Sequence, residues 1–362
     1  MRPGMIAAMT AVLSRPRPAR RPAGVVRLLL LAALLGGPAT ASAAPASEAG
    51  SATTPSAPAS APTAARALRL VSLNPSLTAI VDRLGASDRL VGIDDYSARV
   101  VPALADRPRV GGLFDPSLEA VLALAPDRVL LVAGLEQEAH GAALRRLGLA
   151  VEVFENERYE QVLGNLERLG RLVDREAEAA KRIGEIRALR AAVERAVAGR
   201  ARPRTVIVLD RSPLYLVGGG TFLDEMLRAV GAENLGARVA QGYPRGSLEW
   251  LVAAAPELVL DLSPQSEAPQ SEAPQSKPPG AEASPHATDR SESGDSARAL
   301  AFWSRWPSLP AVKTGRVHAL DATRISLPGP DLDRALRELA VAVHGAEIEP
   351  AIERALAQRG TP

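Results

Sequence analysis

The chain has 362 residues, which is enough for two domains of ordinary size with cores of their own. Its formal net charge of +2 is misleading, because residues 1–43 hold six arginines and no acid, so the remainder carries about −4. This balance excludes the basic surface of a nucleic-acid-binding protein, and the lack of cysteine excludes disulfides, thiol chemistry and a lipid anchor on an N-terminal cysteine.

Residues 1–43 have the pattern of a secretory signal peptide. An arginine-rich start precedes an apolar run from Leu28 to Leu35, and Ala41-Ser42-Ala43 supplies a small-residue cleavage site. The apolar run is too short to span a bilayer. We therefore expect a soluble protein exported to the periplasm, cleaved near Ala43 and not a lipoprotein. The alternative is an N-terminus that stays uncleaved as an anchor.

The next segment, residues 44–66, consists mainly of Ala, Ser, Thr and Pro and is predicted to be a disordered linker. From residue 67 to residue 156, short apolar strands alternate with helical patterns, beginning with the strand Leu70–Leu73 and the helix Leu77–Leu84. Alternation at this spacing indicates parallel pairing. The segment 67–156 is therefore predicted to be an N-terminal α/β lobe, in which Asp94–Ser97 forms a loop at the carboxyl end of a strand.

Residues 157–202 contain no strand signal, and Leu, Ile, Val and Ala recur there at helical spacing. Two connecting helices are predicted, the second over Glu176–Ala198. A helix of that length would be about 34 Å long, comparable to a lobe. We expect it to act as a strut that resists hinge motion.

Residues 203–345 begin as the first lobe does and predict a C-terminal α/β lobe, with the strand Thr205–Leu209 and then a loop that carries Tyr215. Gly218-Gly219-Gly220 is interpreted as a tight turn rather than an anion cradle, because the other glycines of a dinucleotide-binding motif are absent. The next helix is expected over Phe222–Val230.

Low complexity marks residues 264–297, which are predicted to form a solvated insert after a strand, near the cleft mouth or a docking face. Folding is expected to resume near Ala299. Residues 346–362 are predicted to be a C-terminal tail with one short exposed helix.

One sequence pattern occurs twice. Ser117-Leu118-Glu119 begins a short apolar helix that ends at Ala-Pro-Asp before a strand, and the same pattern begins again at Ser247. The serine can cap the helix, the carboxylate lies near the positive end of the helix dipole, and the proline stops the helix. A copy in each half of the chain predicts two similar lobes.

The sequence contains no recognisable catalytic motif. It has no cysteine nucleophile, no Gly-x-Ser-x-Gly and no P-loop, and its four histidines fall in separate predicted elements instead of converging as a metal site requires. No enzyme activity, resident cofactor or metal site is therefore predicted. A two-lobed α/β enzyme is the competing class, and a structural or sensory binding module held at a membrane is the other alternative.

The predicted elements add up to a two-lobed α/β receptor with a cleft between the lobes. Ligands of open parallel sheets bind beyond the carboxyl ends of the strands. Tyr96, Tyr215 and Tyr243 fall in predicted loops of this kind, in a chain with only 3% aromatic residues. Because tyrosine combines a flat apolar face with a hydroxyl, this set suits a large planar or partly apolar ligand.

Several motifs of both lobes resemble those of the cobalamin-binding periplasmic proteins, the BtuF-like family. In the first lobe they are Ser72-Leu73-Asn74-Pro75-Ser76-Leu77-Thr78, Leu90-Val91-Gly92-Ile93-Asp94-Asp95-Tyr96-Ser97, Val110-Gly111-Gly112, Ser117-Leu118-Glu119 and Ala125-Pro126-Asp127. In the second lobe they are Gly231-Ala232-Glu233-Asn234, Ser247-Leu248-Glu249, Trp303 to Trp306 and Pro328-Gly329-Pro330. The resemblance covers roughly residues 68–344 apart from the insert.

This resemblance implies the helical-backbone fold, with two Rossmann-like lobes joined by a long helical strut. It also implies a substrate-binding protein that captures cobalamin or a related corrinoid between the lobes and delivers it to the permease of an ABC importer. Haem and ferric siderophores are ligands of the same superfamily and stay open as alternatives.

By the same resemblance, Glu119 and Glu249 match the acidic residue on each lobe that docks onto permease arginines. The residues alone allow each to be simply a carboxylate at a helix N-terminus. Tyr96, Tyr215 and Tyr243 align with aromatic positions that line the family's corrinoid cleft.

The chain departs from the family pattern at several cleft positions. Val132 stands where the cobalamin binders have tryptophan, and Arg99 replaces an aromatic residue. Leu327 and Asp331 stand where arginines are often found, although Arg324 could reach a ligand carboxylate or phosphate. These departures keep haem or another metal chelate open, with Tyr96 or Tyr215 as an iron ligand.

Overall fold

A computed structural model describes residues 66–263 and 292–358. The predicted signal peptide, nearly all of the predicted linker and most of the predicted insert lie outside the described residues. No helix in the described ranges combines the length and the apolar character needed to cross a membrane.

The first lobe contains four parallel strands in the order β2-β1-β3-β4. The strands are β1 (Leu70–Ser72), β2 (Leu90–Ile93), β3 (Arg128–Val132) and β4 (Val151–Phe154). The helices are α1 (Pro75–Arg83), α2 (Ser97–Val100), α3 (Leu118–Ala123) and α4 (Leu135–Arg146), with 3₁₀ turns at Ser87–Arg89 and Pro102–Leu104. The central strands are covered on both faces, which explains why their buried residues are mostly apolar.

Two helices connect the lobes, as the sequence predicts. They are α5 (Tyr159–Leu172) and α6 (Glu176–Ala196). The 21 residues of α6 span about 31 Å. Buried apolar side chains recur along α5 at Val162, Leu166 and Leu169, so that one face of this helix packs into the core.

The second lobe contains a five-stranded sheet in the order β6-β5-β8-β9, with β7 also paired to β5. The strands are β5 (Arg204–Arg211), β6 (Leu214–Leu216), β7 (Glu233–Asn234), β8 (Leu258–Asp261) and β9 (Val317–Ala319). All pairs are parallel except β5 with β6, which form a hairpin. The prediction of a loop at Tyr215 is therefore wrong, because this residue lies in β6.

Seven helices and two 3₁₀ turns complete the described part of the second lobe and the C-terminus. The helices are α7 (Phe222–Ala229), α8 (Leu248–Ala254), α9 (Glu292–Trp303), α10 (Pro310–Lys313), α11 (Ala322–Ser326), α12 (Leu332–His344) and α13 (Glu349–Ala357). The 3₁₀ turns are Leu235–Arg238 and Ala346–Ile348.

Two expectations about these helices are corrected. Helix α9 begins at Glu292, inside the segment expected to be a solvated insert, and the Ser296 hydroxyl accepts a hydrogen bond from the Ala319 N–H at 3.1 Å. Helix α13 is not exposed on all sides, because Ile352 is fully buried and the α13 carbonyl of Ala355 accepts a hydrogen bond from Arg195 of α6 at 2.7 Å. The end of the chain thus packs on the strut.

A single apolar core runs through both lobes and the strut. Leu70 and Ile80 of the first lobe, Ile186 of α6, and Met226 and Leu336 of the second lobe all belong to it. A smaller cluster lies on the outer face of each sheet. Two Rossmann-like lobes joined by a long helical strut are therefore the fold, as predicted.

Charged groups join both lobes to the strut at one place, which we call the arginine–aspartate junction: Arg83, Arg182, Asp331 and Asp333. Arg182 of α6 donates to Asp333 at 2.9 Å and to the carbonyl of Pro330 at 2.8 Å. Asp331 also accepts a hydrogen bond from Arg83 of α1. Asp331, at a position where the family often has arginine, therefore has a structural role here.

Candidate ligand cleft and docking surface

The two repeat copies fold in the same way at their helix starts. Ser117 accepts a hydrogen bond from the Ala120 N–H at 3.2 Å, and Ser247 accepts one from the Trp250 N–H at 3.1 Å. Each serine therefore caps its helix through the third helical residue, as the sequence predicts.

The two copies also end in the same way. Ala125 and Ala255 both have left-handed backbone conformations, with φ of 42° and 46°. The acidic residue after each proline accepts a hydrogen bond from a backbone N–H at or next to the start of the first strand of its lobe. Asp127 accepts this bond from Arg69 at 2.8 Å, and Glu257 accepts it from Arg204 at 2.9 Å. The repeat therefore fixes backbone direction at both ends of each helix.

Glu119 and Glu249 occupy the first turns of α3 and α8, and both are exposed. The pKa of Glu249 is lowered by its own backbone N–H and then by the Ser247 hydroxyl, so this carboxylate is firmly ionised at neutral pH. Exposed apolar surface adjoins Glu119, since Leu122 on the same helix is 36% exposed. Each lobe thus presents a carboxylate at a matched helix start.

A buried polar network holds the loop that carries Tyr96. The Asp94 carboxylate accepts hydrogen bonds from the N–H groups of Tyr96 and Ser97, each at 2.9 Å, and from the Ser97 hydroxyl. Thr78 links the Ser97 hydroxyl to that of Ser72, both at 2.8 Å. These residues belong to the motifs that carry the family resemblance, but the sequence alone assigned them no role.

Burial raises the pKa of Asp94, and the hydrogen bonds from Ser97 and Tyr96 oppose that rise. The carboxylate is fully buried. Its donors are backbone amides and one hydroxyl, so no positive charge of the described residues contacts it directly. The network therefore holds the Tyr96 loop in place, and the free-energy cost of burying Asp94 depends on whether its carboxyl group is protonated.

The Tyr96 loop meets the second lobe at α11. The Tyr96 side chain forms a hydrogen bond with Thr323, and Asp321 lies close enough to affect its titration. The pKa of Tyr96 is raised, first by burial, with Thr323 and Arg99 opposing the rise. Loops at the carboxyl ends of β2 and β9 therefore face one another, as a cleft between the lobes requires. Thr323 was missed by the sequence reasoning because nothing local distinguishes it.

Arg324 lies on α11 next to this contact. Its Nε atom is 3.8 Å from the Glu338 carboxylate and 4.0 Å from that of Asp321. The arginine is thus held beside the Tyr96 contact by carboxylates of its own lobe. A ligand anion would have to compete with them.

Tyr215 and Tyr243 form a second pair, on neighbouring segments of the second lobe. Leu216 donates its N–H to the Pro244 carbonyl at 3.0 Å, which aligns the two segments. Tyr215 is half-buried against the main core, whereas Tyr243 is only 7% exposed, and burial raises the pKa of its phenol. The structure therefore groups the predicted residues as Tyr96 with Arg324 and Tyr215 with Tyr243, the last largely inside the core.

A buried carboxylate also marks the carboxyl end of β8. Asp261 accepts hydrogen bonds from Arg211 at 2.8 Å, from the Trp303 indole N–H at 2.6 Å, and from the Ser263 N–H at 3.0 Å. Arg211 in turn lies over the Phe302 ring, 4.4 Å from its centroid. This group ties α9 to the sheet at the edge where β5 and β8 end.

The triple-glycine turn uses its N–H groups internally. Gly218 donates to the Gly242 carbonyl at 2.8 Å, Gly219 to the Ala240 carbonyl at 2.9 Å, and Gly220 to the Asp224 carboxylate at 2.9 Å. A side chain at Gly218 would lie 2.4 Å from the Ala240 carbonyl. The tight-turn interpretation is therefore correct, and glycine is needed for the close approach.

Within the described ranges, no group of three or more histidine, aspartate or glutamate side chains is placed to hold a metal ion. Val132, at the position of the family's tryptophan, is buried in the core. Arg99, at the position of an aromatic residue, is exposed beside Tyr96. The polar and aromatic groups around Tyr96 thus lie where the two α/β lobes face one another.

The chain belongs to the family described as "Periplasmic binding protein", whose model matches residues 70–323. A vitamin B12-binding protein from Vibrio parahaemolyticus is 23% identical over 220 residues, which cover 60% of this chain and 69% of that protein.

Solved structures show the same fold. The periplasmic vitamin B12-binding protein BtuF of Vibrio cholerae matches with a TM-score of 0.60 and 22% identity, over 79% of this chain and 98% of that one. A periplasmic heme-binding protein from Pseudomonas aeruginosa matches with a TM-score of 0.59 and 25% identity, over 77% of this chain and 93% of that one. Similarity therefore extends to binders of two different ligands.

Proposed function

We propose that this protein is the substrate-binding component of an ABC importer, which captures cobalamin or a related corrinoid between its lobes and delivers it to the permease. The observation that carries this proposal is the matched pair of exposed carboxylates, Glu119 and Glu249, at equivalent helix starts on the two lobes. The protein would act by binding rather than catalysis. Export by cleavage near Ala43 belongs to the same proposal.

A docking role explains features of the repeat that helix capping leaves unexplained. Ser117 and Ser247 already satisfy the helix N-termini, so neither glutamate is required as a cap. Both carboxylates point out of the fold, and neither has an ion-pair partner in the part of the chain that the structure describes. A permease surface with one arginine for each lobe would match one exposed carboxylate on each lobe.

The cleft residues favour a ligand recognised by neutral polar contacts and flat apolar surface. Because burial raises the pKa of Tyr96, its phenol is neutral at pH 7. A neutral phenol can both donate a hydrogen bond to an amide group of the ligand and accept one from it. Tyr215 supplies a half-buried ring, and Arg324 supplies a positive charge on the facing helix. The named B12-binding relatives support a corrinoid as the first candidate.

Haem is the second candidate, favoured by the similarity to the heme-binding protein from Pseudomonas aeruginosa. Tyr96 or Tyr215 would then be the iron ligand. A phenolate ligand at Tyr96 would have to form against the burial that raises its pKa, so the charge of the iron would have to offset that cost.

Calorimetric titration of the purified chain with cyanocobalamin, haemin and a ferric siderophore tests the ligand. We expect saturable binding of cyanocobalamin with one site, weakened about tenfold by Tyr96→Ala through loss of ring contact and a hydrogen bond. Haemin binding with a Soret shift that Tyr96→Phe or Tyr215→Phe abolishes would identify haem instead. Lack of binding to all three would overturn the ligand proposal.

A further inference from the structure

A positively charged pocket lies on the second lobe at the edge opposite the cleft. We call it the back pocket, and its volume is about 380 Å³. Its charged and polar lining is Arg200, Arg202, Glu257, Arg316 and His344. Arg204 begins β5 and Val317 begins β9, so the pocket lies where these strands start. The cleft lies where these strands end, so the back pocket is a separate site.

The arginines of the back pocket form no ion pair with the described residues. Arg200, Arg202 and Arg316 have no ion-pair partner within residues 66–263 and 292–358. Glu257 is the one acid in the lining, and it is already occupied: it accepts the Arg204 N–H at 2.9 Å and lies 3.6 Å from the Arg204 side chain. The pocket thus keeps a net positive charge.

Two of the lining groups are held in place. Arg316 donates to the Val343 carbonyl at 2.7 Å, which fixes its guanidinium and leaves further N–H groups for another acceptor. His344 Nε2 lies 2.7 Å from the Val230 carbonyl, so this nitrogen carries the proton and Nδ1 is the nitrogen that titrates. The preorganised Arg316 favours a compact anion, and His344 becomes a second donor once its Nδ1 is protonated.

The pKa of His344 is sensitive to the positive charge of the back pocket. Burial lowers its pKa, the hydrogen bond to Val230 opposes this, and the positive charges of Arg200 and Arg316 lower it further. Glu347 acts in the opposite direction. An anion bound beside these arginines would raise the pKa of His344, so binding would be coupled to proton uptake.

We propose that the back pocket binds a phosphate or phosphoryl group through Arg200, Arg202 and Arg316. Guanidinium groups match the geometry of phosphate oxygens and pair with them through two parallel hydrogen bonds. The phosphate could belong to a soluble molecule or to the headgroup of a phospholipid. The chemistry of recognition is the same for both.

Calorimetric titration of the full chain with inorganic phosphate tests the site, with Arg200→Gln/Arg316→Gln as the disabled variant. We expect saturable binding that this variant weakens at least about tenfold. The matched control is Arg145→Gln/Arg146→Gln, which removes the same charge from exposed positions on α4 and should leave binding unchanged. Equal losses in both variants would show only a general effect of charge and would overturn the proposal.

Vesicles of phosphatidylglycerol in phosphatidylcholine distinguish the two sources. Vesicle binding that Arg200→Gln/Arg316→Gln abolishes, and the control retains, would identify a lipid headgroup. Binding of free phosphate with the same dependence would identify a soluble ligand. Binding to neither probe would overturn the proposal.

Phosphate itself titrates near neutral pH, whereas the charge of sulfate stays constant. Sulfate binding measured at several pH values therefore isolates the effect of His344. We expect the affinity for sulfate to rise as pH falls from about 8 to about 6, and His344→Gln to flatten this dependence. A pH dependence that persists in His344→Gln would overturn the assignment of His344 to the site.

Discussion

The segment that begins at Ser117 and the one that begins at Ser247 share their backbone features but differ in packing. Both have a serine cap, a left-handed alanine before proline, and an acid that accepts the N–H of an arginine. The third helical residue, however, is Ala120 in one copy and the half-buried Trp250 in the other. The two copies therefore share the groups that begin and end the helix, together with the exposed carboxylate.

The carboxylates at the cleft edge differ more strongly between the lobes. Asp94 accepts hydrogen bonds from two backbone amides and one hydroxyl, whereas Asp261 pairs with Arg211 and the Trp303 indole. The first arrangement positions a loop, and the second anchors a helix. The repeat thus gives each lobe an exposed carboxylate at an equivalent helix start, whereas the buried carboxylates at the cleft edge have different partners in the two lobes.

The largest expected effect tests whether the repeated carboxylates act as a pair. Glu119→Arg/Glu249→Arg should abolish ligand uptake by cells that carry the importer, because both lobes would then repel the permease arginines. Ligand affinity measured by calorimetry should not change. Glu178→Arg, at an exposed position of α6, is the matched control and should transport normally. Normal uptake by the double variant would refute the docking role.

The second test compares the buried carboxylates by removing each. Asp261→Ala should lower the free energy of unfolding by about 3 kcal/mol, because it removes a buried carboxylate that pairs with the Arg211 guanidinium and accepts the Trp303 N–H. Asp94→Ala should cost about 2 kcal/mol, since its lost partners are neutral. Urea denaturation of both variants measures the difference, and a larger loss for Asp94→Ala would contradict this ranking.

The pH dependence of stability sharpens the same contrast. Because the folded-state pKa of Asp94 lies above its ordinary value of 3.8, the folded state binds this proton more tightly than the unfolded state does. The stability of the wild type relative to Asp94→Asn should therefore be greatest at low pH and fall as pH rises from 3.8 through the raised pKa. Urea denaturation at several pH values measures the difference in free energy of unfolding between the two proteins. A difference that does not change with pH would contradict the raised pKa of Asp94.

The smallest expected effect concerns the left-handed alanines. Ala125→Gly and Ala255→Gly should each raise the free energy of unfolding by about 0.5–1 kcal/mol, because glycine adopts positive φ without a Cβ clash. Ala123→Gly and Ala254→Gly, at the ends of the same helices, should instead be destabilising by a similar amount. Unequal responses of the two lobes would show that the backbone strain differs despite the shared geometry.

Sequence patterns predicted the alternating elements, the strut and both serine caps because each depends on residues near one another in the chain. The run Leu214–Leu216 is too short for its period to distinguish a strand from a loop, so the hairpin was missed. The packing of Ile352 on the strut depends on residues far away in sequence, so the last helix was expected to be more exposed than it is.

The site was less predictable than the fold for the same reason. Tyr96 could be placed in a loop at a strand end, but its contact with Thr323 joins positions on different lobes. Tyr243 could likewise be placed in a loop, whereas its burial depends on how neighbouring segments close over it. Local sequence determines where a side chain starts, and tertiary packing determines what it touches.

The arginine–aspartate junction has a kinetic consequence. A rotation that separates the lobes would pull Arg83 away from Asp331 while Arg182 keeps Asp331 and Asp333 on the strut. Exposed charges are screened over about 8 Å at physiological ionic strength. Added salt should therefore shorten the residence time of a bound ligand by easing this separation, and stopped-flow release at low and high salt measures it.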